Sequence, residues 1–244
     1  MASNIASVLF VRGSSQAGTR TDTASLSQTG DVTLETWVKL TQLPSSVSAH
    51  MVLGGKYNTT GNKRAYEFIL RSDDKVRFYY SGDGTNTTIL EADTSIVSGD
   101  VGVWTHLAVA VDVSGKTGTF YKNGLPDGVT LISGTQTAII DNDADFNIGR
   151  TASPDLYLDG RINNFRLWGD RRSDAEILAN YKKVLTNPGT DNLIDSWYYK
   201  GDHTSASGNN DLTGVNTPTF SGDIPFGTAG GSPMFFSTGG VVIT

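Results

Sequence analysis

Val103-Trp104-Thr105-His106-Leu107-Ala108-Val109-Ala110-Val111-Asp112 runs almost directly into Ser114-Gly115-Lys116-Thr117-Gly118-Thr119-Phe120-Tyr121-Lys122-Asn123-Gly124. The first segment is rich in Val and Leu, too short for a typical helix, and stopped by Asp and Gly, so it reads as a strand. The second opens on a Gly-containing turn and halts at Asn123-Gly124, a pair suited to a tight turn with φ > 0. Together they form a hairpin with apolar side chains on both faces. Such a hairpin belongs in the middle of a sandwich, with the other strands laid on either side.

The rest of the chain has the spacing this requires. Ser7–Val11 reads as a first strand, Gly13–Thr23 as a polar loop, and Val32–Leu40 as a strand. In that strand Leu34, Thr36, Val38 and Leu40 share one face, and Glu35, Trp37 and Lys39 the other. Further strands are expected at Met51–Lys56, Tyr66–Arg71, Val76–Tyr80, Thr88–Ala92, Val129–Ile132 and Phe146–Arg150. No amphipathic helix precedes residue 173, which predicts an all-β, two-sheet antiparallel jelly-roll sandwich. One helix stands out. Ser173-Asp174-Ala175-Glu176 is a capping box, and Ile177, Leu178, Tyr181, Val184 and Leu185 follow at helical spacing up to Asn187-Pro188-Gly189. A short helix over about 173–185 is predicted, with one face on the sandwich.

Several motifs in order resemble the laminin-G-like and concanavalin A-like lectin/glucanase jelly rolls. Trp104-x-His106-Leu-Ala-Val followed by Phe120-Tyr121-x-Asn123-Gly124 is similar to the family's core hairpin. Leu34-Glu35-Thr36-Trp37-Val38, Ala65-Tyr66-Glu67-Phe68, Phe146-Asn147-Ile148-Gly149-Arg150 and Leu158–Trp168 are similar to four more of its strands. The resemblance spans roughly residues 6–185. Asn192–Tyr198 and Ala206–Thr213 are similar to a segment that opens other members before their first strand, and are expected here as an added strand and loop of the same domain. The division expected is a single jelly roll over 1–226 and a Gly-rich apolar tail over 227–244. The resemblance implies fold; it does not imply one ligand, because this fold hosts unrelated functions.

At 244 residues the chain is long enough for a sizeable core. A net charge of −6 argues against nucleic acid or an anionic membrane as partner. There is no Cys, hence no disulfide framework or thiolate metal site. No basic-then-apolar leader opens the chain, and no apolar run approaches the roughly 18 residues of a membrane span.

Catalysis finds little support in these residues. A glycoside hydrolase needs two carboxylates facing one bond, and in the enzymes of this superfamily they follow an E-x-D-x-x-E pattern. Glu91-Ala92-Asp93 begins that pattern, but Ile96 stands where the second Glu is required. His106 lies mid-strand and reads as structural, while His50 and His203 lack metal spacing. No enzyme is expected. Asp141-Asn142-Asp143-Ala144-Asp145 places oxygens on alternate residues, which suits a hard cation such as Ca²⁺. The family resemblance places such ions at a loop edge, where Asp155 or Asp159 could complete the set; an acidic solvated turn is the other reading.

Sugar sites combine aromatic platforms with Asn, Asp and Gly in loops. Tyr57, Asn58, Asn62, Tyr79, Tyr80, Asp83, Asn86 and Tyr157 supply that chemistry. Trp37, Trp104 and Trp168 are expected in the core. Two classes stay open. The first is a leaderless accessory protein on the surface of a virus or phage particle, binding surface glycans and docked to capsid or tail protein or assembled as a homo-oligomer. The second is an extracellular carbohydrate-binding module of a secreted enzyme or adhesin. The tail favours the first, because Met234-Phe235-Phe236 and Val241-Val242-Ile243 suit a contact with a partner surface.

Overall fold

The computed structural model describes residues 6–226, and the tail expected as a contact segment lies outside them. Two antiparallel sheets face each other. The front sheet runs β10 (Leu125–Asp127), β9 (Thr117–Lys122), β8 (Thr105–Asp112), β3 (Val32–Leu40), β15 (Gly160–Trp168), β1 (Ser7–Phe10) and β18 (Thr219–Ser221). The added strand β16 (Leu193–Trp197) pairs with the far end of β15, where β1 leaves off. The back sheet runs β11 (Val129–Ser133), β7 (Thr88–Ser95), β6 (Lys75–Tyr80), β5 (Lys63–Leu70), β4 (Met51–Asn58), β12 (Phe146–Ile148), β2 (Ala17–Arg20) and β17 (Thr213–Val215). A small separate hairpin, β13 (Arg150–Thr151) and β14 (Leu156–Tyr157), follows β12.

Period-two alternation decides which side chains meet between the sheets. On β5, Tyr66, Phe68 and Leu70 enter the core; on β6, Val76, Phe78 and Tyr80 do the same. The front sheet answers with Leu34, Val38, Leu107, Val109, Val111 and Phe120. Phe146 stacks on Trp197 at 5.1 Å between ring centres, and Phe165 meets both rings edge-on. Gly54 is required there, because a Cβ would come within 2.7 Å of the Phe165 ring. On β15 a register shift between Asn163 and Arg166 restarts the alternation, so Phe165 points inward and Arg166 outward.

The hairpin β8–β9 forms with the expected turn, but it is not the middle of the sheet. β3 and β15 lie inboard of β8, while β9 is one strand from the edge. The second apolar face of the hairpin is covered by a helix instead: Ala108, Ala110 and Tyr121 pack against Ile177. That helix, α1, spans Asp174–Asn180 and carries the expected capping box at Ser173 and Glu176. It stops well short of residue 185 because the sheet beneath takes its last carbonyls. Arg166 donates to the carbonyls of Asn180 and Lys183, and Trp37 Nε1 donates to that of Tyr181 at 2.7 Å.

Trp104 precedes β8, is half-buried rather than core, and donates to Asp223 at 2.9 Å. The polar stretch Gly13–Thr23 contains β2, a strand that sequence pattern alone does not reveal.

Candidate functional site

The two outer faces of the sandwich are finished differently. On the front sheet, residues from the family-like motifs converge beneath α1. Glu35 Oε1 accepts from Arg166 at 2.9 Å and from Trp168 Nε1 at 2.8 Å, while Oε2 lies 2.9 Å from His106 Nε2. Burial by itself would raise the Glu35 carboxyl; the Arg166 charge and the His106 contact outweigh it and hold it down at about 2. Burial keeps His106 neutral, so its Nε2–H donates to the carboxylate. These groups are about 1% exposed and engage one another. His106 is structural, as its strand position implies.

The back sheet presents to the outside the residues that alternate with its core set. They are Val52 and Tyr57 from β4, Glu67 and Ile69 from β5, Arg77 and Tyr79 from β6, and Ile89 and Glu91 from β7. Val52, Tyr57, Ile69 and Tyr79 form an apolar cluster of their own, with Ile89 and Leu156 against it. The rings of Tyr57 and Tyr79 lie 6.4 Å apart, tilted by 56°. The Arg71 guanidinium sits 6.0 Å from the Tyr79 ring centre.

Glu67 lies directly across the ladder from Tyr79 and is 2% exposed. Burial pushes its carboxyl up to about 8, with the Arg71 charge opposing in part, so the acid is protonated at neutral pH. Burial, and then the neighbouring Glu67, push the Tyr57 hydroxyl up to about 12.

The β13–β14 hairpin straps one side of this face. Thr151 hydrogen-bonds Glu67, Leu156 packs on the tyrosine cluster, and the Ser153 carbonyl accepts from the Thr59 amide at 3.0 Å. Arg150 donates to Asn147 at 2.9 Å and pairs across the hairpin with Tyr157. Opposite the strap, Arg77 holds Glu91 and Asp73. Glu67 is thus closed over and Glu91 is charge-paired, so these two acids do not flank an open bond.

The structure brings together part of the set expected from sequence. Tyr57 and Tyr79 share the outer face, and Tyr157 stands at its border on the strap. Tyr80 does not belong. Alternation turns it inward, where it is fully buried and donates to the carbonyls of Val113 and Gln136 at 3.0 and 3.2 Å. Asn58, Asn62, Asp83 and Asn86 lie in two adjoining loops at the strand ends and organise turns. Asn58 accepts from the Thr60 amide at 2.8 Å, and Asn62 takes a left-handed φ of 57°. Asp83 gathers the amides of Thr85 and Asn86 at 2.8 and 2.7 Å.

The expected Ca²⁺ set is not assembled. Among the described residues no three acidic or histidine side chains converge as a cation needs. Asp143 pairs with Lys63 at 2.9 Å and Asp141 lies 3.9 Å from Lys56, so ammonium groups stand where a cation would. Asp159 accepts from Gln42 at 2.6 Å and from the Arg12 amide, Asp155 is exposed in the turn of the strap, and neither joins Asp145.

The sequence reading missed Glu67, Arg71 and Thr151. A charged residue between Tyr66 and Phe68 in an apolar strand was a usable signal for the first. A cavity of about 200 Å³ lies beside Trp168 and Leu193, on the helix side of the molecule, and none of the expected site residues lines it.

A sequence profile of the concanavalin A-like lectin/glucanase superfamily matches residues 12–178. The chain belongs to this superfamily. Comparison with curated proteins by sequence finds no match. Among solved structures, one that shares the fold is a Bacteroides ovatus protein assigned to carbohydrate binding, at a TM-score of 0.64 and 13% identity, covering 89% of this chain and 59% of that one. The present chain therefore spans about three fifths of that protein. The heptameric SAP-like pentraxin of Limulus polyphemus aligns at 0.59 and 10% identity, over 90% and 96% of the two chains. A CBM40 module of a Ruminococcus gnavus sialidase, bound to α2,3 sialyllactose, aligns at 0.51 and 18% identity, over 71% and 95%. At these identities the likeness is one of fold. Among the described residues no helix is long and apolar enough to cross a membrane.

Proposed function

We propose that the protein is a non-catalytic, glycan-binding jelly roll whose ligand lies on the outer face of the back sheet. The observation that carries this reading is the Tyr57–Tyr79 pair with Glu67 and Arg71 beside it, on the sheet face that no helix among the described residues covers. The rims of the tilted rings, each 9% exposed, offer surface to the C–H face of a sugar, and the Arg71 guanidinium offers a charged donor to its hydroxyls. A carbohydrate-binding protein and a sialyllactose-bound module of the same fold support the ligand class. Glu91 tied to Arg77, and Glu67 closed under Thr151, support the absence of catalysis.

The test is a glycan array followed by calorimetry with the full chain. Tyr79→Ala should weaken binding roughly tenfold, the equivalent of about 1.4 kcal/mol for one aromatic contact. Tyr157→Ala, at the border, should change it less. If glycans bind and neither Tyr57 nor Tyr79 matters, the face is wrong; if no glycan binds, the function is.

We place this module on a virus or phage particle rather than in a secreted enzyme. The support is the composition of residues 227–240, where the apolar triplet Met234-Phe235-Phe236 lies between glycine pairs and suits contact with an assembly. Retention of the protein by purified particles, and its loss when 227–244 are deleted, is the outcome expected.

A further inference from the structure

We propose that the free edge of β11 is a docking site for the segment Val241-Val242-Ile243 of this chain, which adds there as a further strand. β11 is the outermost strand of the back sheet and pairs on one side only, with β7. Its sequence, Val-Thr-Leu-Ile-Ser, contains no charge and no proline, and every residue but Val129 is exposed. Leu131 and Ile132 are each 45% exposed. The register shift between Leu131 and Ser133 leaves Ile132 without a partner on β7.

An edge strand with unpaired amides and carbonyls is a template for another strand unless something blocks it. The other edges among the described residues are guarded or short. β10 carries Pro126 and Asp127, and β17 and β18 are three residues each. β16 matches β11 in length but carries Asp195 and gives its Ser196 carbonyl to the Ala206 amide, whereas β11 carries neither kind of guard.

The occupant is argued from composition and reach. Gly239-Gly240 leads into Val241-Val242-Ile243-Thr244, an uncharged β-branched run whose chemistry matches the exposed edge. The described chain ends at Phe226, which lies against Trp37 on β3. From β3 to β11 the path crosses about three strand spacings of 4.8 Å and one sheet spacing of 10 Å, roughly 25 Å in all. The stretch 227–240 extends to about 45 Å at 3.3 Å per residue, so the segment can reach the edge of its own molecule as well as that of a second copy.

The chain has no native Cys, which makes cross-linking clean. Leu131→Cys is combined in turn with Val241→Cys, Val242→Cys and Ile243→Cys in the full chain and oxidised. The expected result is a disulfide at alternate tail positions, as strand pairing dictates. A link within one chain means docking in the same molecule, and a link between chains means exchange between copies; either supports the proposal. Amide exchange over 129–133 should slow at least tenfold relative to the protein lacking 227–244. Leu131→Lys, at an exposed position, should abolish that slowing without unfolding the protein. Disulfide dimers from Leu131→Cys alone would mean that two copies of β11 pair with each other, and would overturn the proposal. Equal exchange in the full and shortened chains would also overturn it.

Discussion

Glu67→Gln probes the candidate face at its least comfortable residue. The side chain is 2% exposed, faces Tyr57 on β4 and Tyr79 on β6, touches Thr151 on the strap, and has Arg71 as its nearest charge. Burial lifts its carboxyl from 4.5 to about 8, so between those values the folded protein keeps a proton that the unfolded chain has released. A folded state that binds more protons loses stability as pH rises, here by up to about 1.4 kcal/mol per pH unit. From 4.5 to 7 the loss is on the order of 3 kcal/mol, and it levels off once both states are ionised above 8.

Glutamine keeps the shape, an acceptor and a donor, but cannot ionise. Glu67→Gln should therefore exceed wild type at pH 7 by roughly 2–3 kcal/mol, which is about 5–10 °C in midpoint for a chain of this size. The gap should vanish at pH 4.5 and reach its full size above pH 8. Urea denaturation of both proteins across this range measures it directly, because the other titrating groups are common to the two and cancel in the difference. Parallel profiles, or a variant less stable at pH 7, would refute the reasoning and mean that Glu67 is ionised and paired in the folded state.

Two further outcomes are expected. Arg166→Met removes the charge that holds Glu35 ionised and should cost about 3–5 kcal/mol at pH 7, read by denaturant midpoint. In wild type the depressed carboxyl stabilises above pH 4.5 and that gain is lost as pH falls through about 2, whereas in the variant burial raises the carboxyl. The deficit should therefore shrink at pH 3, and one equal at pH 3 and 7 would assign Arg166 to packing alone. Millimolar Ca²⁺ after chelation should leave the melting midpoint unchanged, since Lys63 already neutralises Asp143. A rise of several degrees that Asp143→Asn removes would show that the lysine gives way to the cation.

How far the sequence reaches depends on the kind of signal. β3 begins and ends where its apolar alternation does, at Val32 and Leu40, and the capping box starts α1 at the expected residue. Both are local properties of side chains next to one another. β13, β14, β17 and β18 have two or three residues each, too few for a period, and exist because a neighbouring strand pairs with them. The length of α1 was illegible for a related reason. Its end is set by Arg166 and Trp37, which reach it from strands distant in the chain. In the candidate site, Tyr57 and Tyr79 could be named from sequence as aromatics near polar loops. Tyr80 could have been removed by alternation, since adjacent strand residues face opposite ways. That Glu67 is buried could not be read from its own strand, because Thr151 closes over it from β13.

The two outer faces handle a buried acid in opposite ways, and the contrast bears on where a ligand belongs. Glu35 is ionised and fully matched: Arg166, Trp168 and His106 answer its oxygens, and α1 closes over them. Glu35, His106, Arg166 and Trp168, four of the residues that carry the family resemblance, are used up in this way. Glu67 has no basic side chain in hydrogen-bonding contact and holds its proton instead, while the buried Arg71 Nε beside it has no hydrogen-bond partner. A buried donor without a partner costs roughly 1–3 kcal/mol, a cost that a bound hydroxyl or carboxylate would lift. The back face keeps a guanidinium nitrogen without a partner beside two aromatic rings, which is where a ligand would find polar groups still unmet.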